Sequence, residues 1–139
     1  MLIGWKEYAE LPEWGLRRIR VKVDTGARTS VLGVAGYDLV DVPGGGQVAR
    51  LRLALSRKHP ERVRVVEAPV LRTVLVKNTG GLPERRPLVE TTIRLGPVSK
   101  RIRLTVADRS RMRHRMLLGR LALAGDFVVD VSQKYVLRS

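Results

Sequence analysis

Asp24-Thr25-Gly26-Ala27 holds the residues best suited to chemistry. The four follow an alternating apolar run, Ile19-Arg20-Val21-Lys22-Val23, so a strand ends by delivering a carboxylate on a glycine turn. A lone carboxylate in a turn ordinarily caps its own backbone. Two carboxyls about 3 Å apart do more. Like charges that close cannot both ionise, so the pair shares one proton and can deprotonate water while polarising a carbonyl. Asp-Thr-Gly occurs once, so such a pair needs two copies of the chain across a two-fold axis. A second segment far downstream, Met116-Leu117-Leu118-Gly119-Arg120, raises the tripeptide above a chance turn.

Other chemistries find little support. With no cysteine, disulfides, thiolate zinc sites and cysteine nucleophiles are excluded, and a reducing cytoplasm is the expected compartment. Zinc hydrolysis needs convergent His and Glu ligands. The two histidines, His59 and His114, are far apart in sequence and each sits among Arg and Lys. A phosphate loop ends in Gly-Lys-Ser/Thr, whereas Gly44-Gly45-Gly46 is followed by Gln47. No metal and no cofactor is expected. Nor is a membrane span, since no apolar run reaches about 18 residues. Met1–Glu7 lacks a basic region followed by an apolar stretch, so no signal peptide is expected.

The net charge of +14 is unevenly placed. Residues 50–120 hold 19 Lys/Arg against 5 Asp/Glu, while the rest holds 8 of each. A basic segment on a neutral frame attracts a polyanion: nucleic acid, an anionic membrane or an acidic polypeptide. Aromatics argue against nucleic acid. They make up 4% of the chain, Trp5 and Trp14 lie outside the basic segment, and base stacking needs exposed rings on adjacent strands.

The elements that must position Asp24 read as strands. Turn residues punctuate the chain at Pro12, Gly26, Gly33/Gly36, Pro43–Gly46, His59-Pro60, Asn78–Gly81, Gly96-Pro97 and Gly125-Asp126. Between them run alternating segments such as Val48–Leu55, Arg62–Val66, Thr91–Leu95 and Lys100–Val106, with Arg or Lys on the polar face. The pattern predicts an all-β chain in one domain over residues 1–139, an antiparallel sheet closed into a barrel or sandwich. One short helix is expected at Arg120–Ala124. A first hairpin joins Leu51–Leu55 to Val63–Val66 through Arg57–Pro60. A second joins Val70–Lys77 to Pro87–Leu95 through Asn78–Arg86, whose glycine-bearing tip suits a flap.

Four ordered blocks resemble the retropepsin-like aspartic proteases of bacteria and archaea, closest to the RimK-associated RimB group also labelled "ATP-dependent zinc protease". They are Ile3–Tyr8 with Leu11-Pro12-Glu13; Lys22–Ser30; Val76–Gly81 with Glu84–Pro87; and Arg109–Met112 with Met116–Arg120. The chain departs from the family pattern at Gly33, where His or another polar residue is usual, and at the glycine-rich Pro43–Gln47 loop. The zinc and ATP of the label find no ligands here.

The resemblance implies a closed retropepsin-like barrel whose active site is formed by a homodimer. It implies Asp24 as the catalytic carboxylate and water as nucleophile. Thr25 is expected to bond across the dimer, Gly26 to let the backbone pass close beneath the carboxylates, and Ala27 to line the floor. Leu117-Leu118-Gly119-Arg120 is expected to back the turn, with Arg120 in an ion pair. Flap residues around Val76–Arg86, including Asn78, Gly80 and Gly81, are expected to cover an extended substrate bound by strand addition. Lys22, Arg28, Lys77, Arg85 and Arg86 are the basic candidates for holding acidic side chains. Association with RimK-type glutamate ligases makes poly-α-glutamate the natural substrate. The terminal runs Phe127–Val131 and Tyr135–Leu137 are candidate interface strands. Two other readings are a retropepsin fold used only as a dimeric binding module and a basic nucleic-acid-binding β-barrel.

Overall fold

The computed structural model describes residues 1–56, 58–59, 61–77, 82–108 and 114–137. The strands run in chain order β1 Leu2–Gly4, β2 Lys6–Leu11, β3 Leu16–Val23, β4 Ser30–Val34, β5 Gly36–Asp41 and β6 Gln47–Ala54. They continue as β7 Val63–Pro69, β8 Arg72–Lys77, β9 Pro83–Leu95, β10 Val98–Asp108, β11 Met116–Leu118 and β12 Val128–Asp130. A 3-10 turn, Pro12–Trp14, joins β2 to β3, and helix α1 spans Arg120–Leu123.

Period-two burial explains the strands. On β2, Glu7, Ala9 and Leu11 face inward and their neighbours outward. On β3 the alternation breaks once: Arg17 and Arg18 are both exposed between buried Leu16 and Ile19. The β2–β3 register shifts there, and Arg18 takes φ 50. The extra residue is a bulge that brings Leu16 back onto the core face.

Six strands close a barrel. The order β10-β4-β11-β3-β2-β9 is completed by β9 pairing with β10. Buried Leu11, Val21, Leu32, Leu95, Leu104, Met116 and Leu118 belong to its core. The outer half of β9 leaves the barrel and pairs with β8 as a two-stranded arm, from Arg72↔Leu88 to Lys77↔Pro83. β5, β6 and β7 form a separate antiparallel sheet that contributes Ala49, Leu51, Leu53 and Ala68 to the core. Its β5–β6 tip holds Gly44, Gly45 and Gly46 at φ 92, 115 and 83, which explains three consecutive glycines.

The termini are tied to this frame. β1 and β12 pair in parallel from Leu2↔Val128 to Gly4↔Asp130. The Glu7 carboxylate, 0% exposed, accepts from the backbone N–H groups of Gly4 at 2.7 Å, Val136 at 3.0 Å and Leu137 at 3.2 Å. Tyr135 stacks on Tyr8 with ring centroids 4.7 Å apart. Within one chain, the terminal runs expected at an interface are engaged with β1, β2 and Glu7.

The closed barrel and the helix follow the sequence expectation, and the first hairpin has the expected partners, Ala54↔Val63 to Leu51↔Val66. Two points differ. The barrel is mixed rather than antiparallel, because β10–β4 and β11–β3 pair in parallel. In the second hairpin, β9 begins at Pro83, so Glu84, Arg85 and Arg86 are strand residues rather than loop. No described helix is long and apolar enough to cross a membrane, which says nothing of spanning strands.

Candidate active site

β3 and β4 flank the Asp24 turn but do not pair with each other. β11 lies between them, parallel to β3 through Met116↔Val21 and Leu118↔Val23, antiparallel to β4 through Met116↔Leu32 and Leu117↔Val31. The chain must therefore arch across the end of β11, where Asp24, Thr25, Gly26, Ala27, Arg28 and Ser30 are each held by the 118–121 segment or by the turn itself. The Asp24 N–H donates to the Leu118 carbonyl at 2.8 Å. The Arg120 N–H donates to the Ala27 carbonyl at 2.8 Å and the Leu121 N–H to the Arg28 carbonyl at 3.1 Å. The Gly119 N–H donates to Ser30 Oγ at 3.0 Å.

Two residues of this platform owe their place to their side chains, or to the lack of one. A Cβ on Gly119 would lie 2.6 Å from the Thr29 carbonyl carbon and oxygen, so a side chain there collides with backbone. Arg120 Nη1 donates to the carbonyls of both Thr25 and Gly26 at 3.2 Å. The expected ion pair is thus replaced by a guanidinium clamp on two turn carbonyls, which suits a rigid planar donor.

On this platform Asp24 is half-buried, and its Oδ1 accepts from the Gly26 N–H at 3.1 Å. A Cβ on Gly26 would sit 3.3 Å from that oxygen, so glycine leaves the carboxylate uncrowded. Thr25 and Gly26 are exposed and Ala27 is half-buried. The carboxylate is therefore fixed in position and open on one side.

Beyond Ala27 lies a cleft of about 380 Å³. The outgoing limb of the turn supplies Arg28 and Thr29, the arm strand β8 supplies Arg72 and Val74, and helix α1 supplies Leu121 and Ala122. Leu88, Arg101, Ile102 and Arg103 complete the wall. Arg101 is neutralised: it donates to Glu13, to Glu90 at 3.2 Å and to Thr92 at 3.2 Å. Hydrogen bonds from Thr92 and Arg101 hold the Glu13 carboxyl below its ordinary range. Arg103 stands 3.9 Å from Glu90, while Arg28 and Arg72 have no acidic partner among the described residues.

The basic candidates divide. Arg28 lines the cleft; Lys22, Lys77, Arg85 and Arg86 do not. Lys22 is exposed on β3 opposite Lys6 and Leu117. Lys77 and Arg85 are exposed on the arm. Arg86 is 7% exposed and donates twice to Glu84 Oε2, at 3.3 and 3.0 Å, so it is an internal support of the arm rather than a free cation. Burial, then the charge of Glu84, pushes the Tyr37 hydroxyl up. Asn78, Gly80 and Gly81 lie outside the described residues. Sequence reasoning missed Arg72. Alternation alone puts Arg72 and Val74 on one face of β8; it does not say that α1 and the Asp24 turn stand opposite.

The comparisons agree with this geometry. The sequence profile of the RimB-like family, described as the retropepsin-like aspartic endopeptidase RimB, matches residues 2–139. A protein of Parasynechococcus marenigrum named probable alpha-L-glutamate ligase is 36% identical over 135 residues, and one of the same name from Desulfotalea psychrophila is 31% identical over 134. The matches cover 94% and 93% of this chain but 28% of each relative, so the chain spans well under a third of their length. A solved structure from Legionella pneumophila, a protein of unknown function, superposes with a TM-score of 0.78 over 98% of this chain and 97% of that one. At 22% identity it shares the fold. The chain belongs to the RimB-like family of retropepsin-like aspartic endopeptidases.

Proposed function

We propose that this chain is a homodimeric aspartic endopeptidase acting on glutamate-rich peptide, with poly-α-glutamate tails as the natural substrate. The observation that carries the reading is Asp24, held open on a hydrogen-bonded platform by Leu118, Gly119 and Arg120. The two-fold copy of Asp24 supplies the second carboxyl. One carboxylate of the pair takes a proton from water as the water oxygen bonds to the peptide carbon. The other, protonated, donates to the carbonyl oxygen. Collapse of the tetrahedral diol breaks the C–N bond, and the leaving nitrogen takes a proton from the pair. The dyad titrates as a unit, so its two apparent pKa values belong to the dimer. No metal or cofactor enters this scheme, and the expected setting is the cytoplasm.

The substrate class rests on the +14 charge, the Arg28–Arg72 cleft and the glutamate-ligase names of the relatives. Those relatives also support a second reading. A unit forming 28% of a protein named as a ligase could serve as a dimeric module that holds a glutamate tail without cutting it.

Asp24→Asn separates the two. An endopeptidase loses activity on oligoglutamate by about a thousandfold or more, because general acid–base catalysis is removed while the fold is kept. A binding module shows no hydrolysis in the parent chain, and Asp24→Asn leaves its tail binding in place. Substantial hydrolysis by purified Asp24→Asn dimer overturns the assignment of Asp24.

A further inference from the structure

The cleft beyond Ala27 has a composition that selects its occupant. Its walls at Val74, Leu88, Ile102 and Leu121 are aliphatic, and Leu121 is 62% exposed although it is a leucine on a four-residue helix. Its rim carries Arg28 and Arg72, neither with an acidic partner among the described residues, while the nearby Arg101 is fully engaged by Glu13 and Glu90. Neutralised and unneutralised guanidiniums thus stand side by side in one cleft. The volume, about 380 Å³, is that of a small ligand cavity. Among the described residues no aromatic lines it, so a nucleobase finds no stacking surface there.

We propose that this cleft is a side-chain subsite for glutamate, with Arg28 and Arg72 as specificity-determining residues that hold the γ-carboxylate and the aliphatic wall packing the methylenes. The proposal rests on the acidic-peptide reading above and sharpens it to residues. Arg28 is four residues from Asp24 and on the same turn, so a side chain seated here belongs to a residue flanking the bond to be cut. Arg72 comes from β8, so the arm strand completes the subsite across the cleft from α1. An extended peptide alternates its side chains, so every second glutamate is offered to this face.

The test uses Asp24→Asn chain, which cannot turn over its ligand, and fluorescence anisotropy with labelled hexaglutamate and labelled hexaglutamine. Binding reads the subsite even if peptidase activity is never observed, so failure of the subsite and failure of the enzyme assignment are separable. Hexaglutamate binds more tightly than hexaglutamine. Arg28→Gln and Arg72→Gln each weaken hexaglutamate binding about three- to fivefold, the scale of one exposed ion pair. Arg62→Gln removes the same charge in the β6–β7 connection and leaves binding unchanged. Leu121→Asp weakens hexaglutamate more than hexaglutamine. Circular dichroism checks that each variant folds, and Arg72→Lys, which keeps the charge, restores part of the loss. Equal weakening by Arg62→Gln and Arg72→Gln overturns the proposal, because net charge alone then explains binding. So does tighter, Arg72-dependent binding of a labelled RNA hexamer than of hexaglutamate.

Discussion

The turn that carries Asp24 and the cleft that begins at Arg28 lie side by side and are built in opposite ways. In the turn, backbone groups are matched to partners: Asp24 to Leu118, Ala27 to Arg120, Arg28 to Leu121, with the Arg120 guanidinium closing over Thr25 and Gly26. In the cleft, charge is left over: Arg28 and Arg72 face an aliphatic wall without acidic partners among the described residues. In the proposed dimer, a carboxylate that must meet its symmetry copy within about 3 Å tolerates little freedom, which fits a saturated support. A guanidinium that must take a carboxylate from a substrate cannot already be holding one. Arg101 marks the boundary, a cleft cation spent on holding Glu13 and Glu90 in place.

The contrast predicts that substitutions beneath the turn cost stability and turnover together, whereas substitutions in the cleft cost affinity. The largest effect is expected at Gly119. Gly119→Val places a branched side chain against the Thr29 carbonyl, and overpacking of this kind costs about 3 kcal/mol or more. Thermal unfolding should show a drop of several degrees, and catalytic activity should be lost. A chain of unchanged stability would mean that the turn does not rest on Gly119.

Arg120→Met comes next. It removes two hydrogen bonds to exposed carbonyls, so the stability loss is about 1 kcal/mol. The turn becomes free to shift, and kcat should fall by more than that stability loss explains, with KM little changed. Equal effects on kcat and KM would move Arg120 from support of the turn to contact with substrate.

The smallest effect concerns the Glu13–Arg101–Thr92 cluster. Hydrogen bonding from Thr92 and then Arg101 lowers the Glu13 pKa below its ordinary 4.5. A lowered folded pKa stabilises the chain above about pH 4.5, and the contribution is lost as pH falls through the folded value. Glu13 is exposed, so solvent screening keeps the effect small. Glu13→Gln should lower the melting temperature by about a degree at neutral pH and low salt, and by nothing at acid pH. A deficit that persists at acid pH would assign it to packing rather than charge.

Much of the turn was legible in the sequence, and the cleft was not. Asp24-Thr25-Gly26 and Leu117-Leu118-Gly119-Arg120 are local patterns, and the resemblance placed them together. The strand periodicity also gave the first hairpin and the short helix. Parallel pairing of β11 with β3 was not readable, since alternation sets the face of a strand but not the direction of its neighbour. Arg86 illustrates the same limit: it is buried and neutralised by Glu84 two residues earlier on the same strand face, so a basic residue in a family-like block is an internal support, its burial set by the fold rather than readable from the block. Arg72 illustrates the converse. Outside every recognisable block, it gains its place only because β8 docks opposite α1.

The central claim is that two copies of Asp24 make one active site. Subunit mixing tests it most directly. Parent chain and Asp24→Asn chain are combined at equal concentration, allowed to exchange, and assayed on oligoglutamate at fixed total protein. A shared dyad predicts about one quarter of the parent activity, because only parent–parent dimers keep both carboxyls. Activity of about one half, linear in the fraction of parent chain, would show that each chain works alone and would contradict the account.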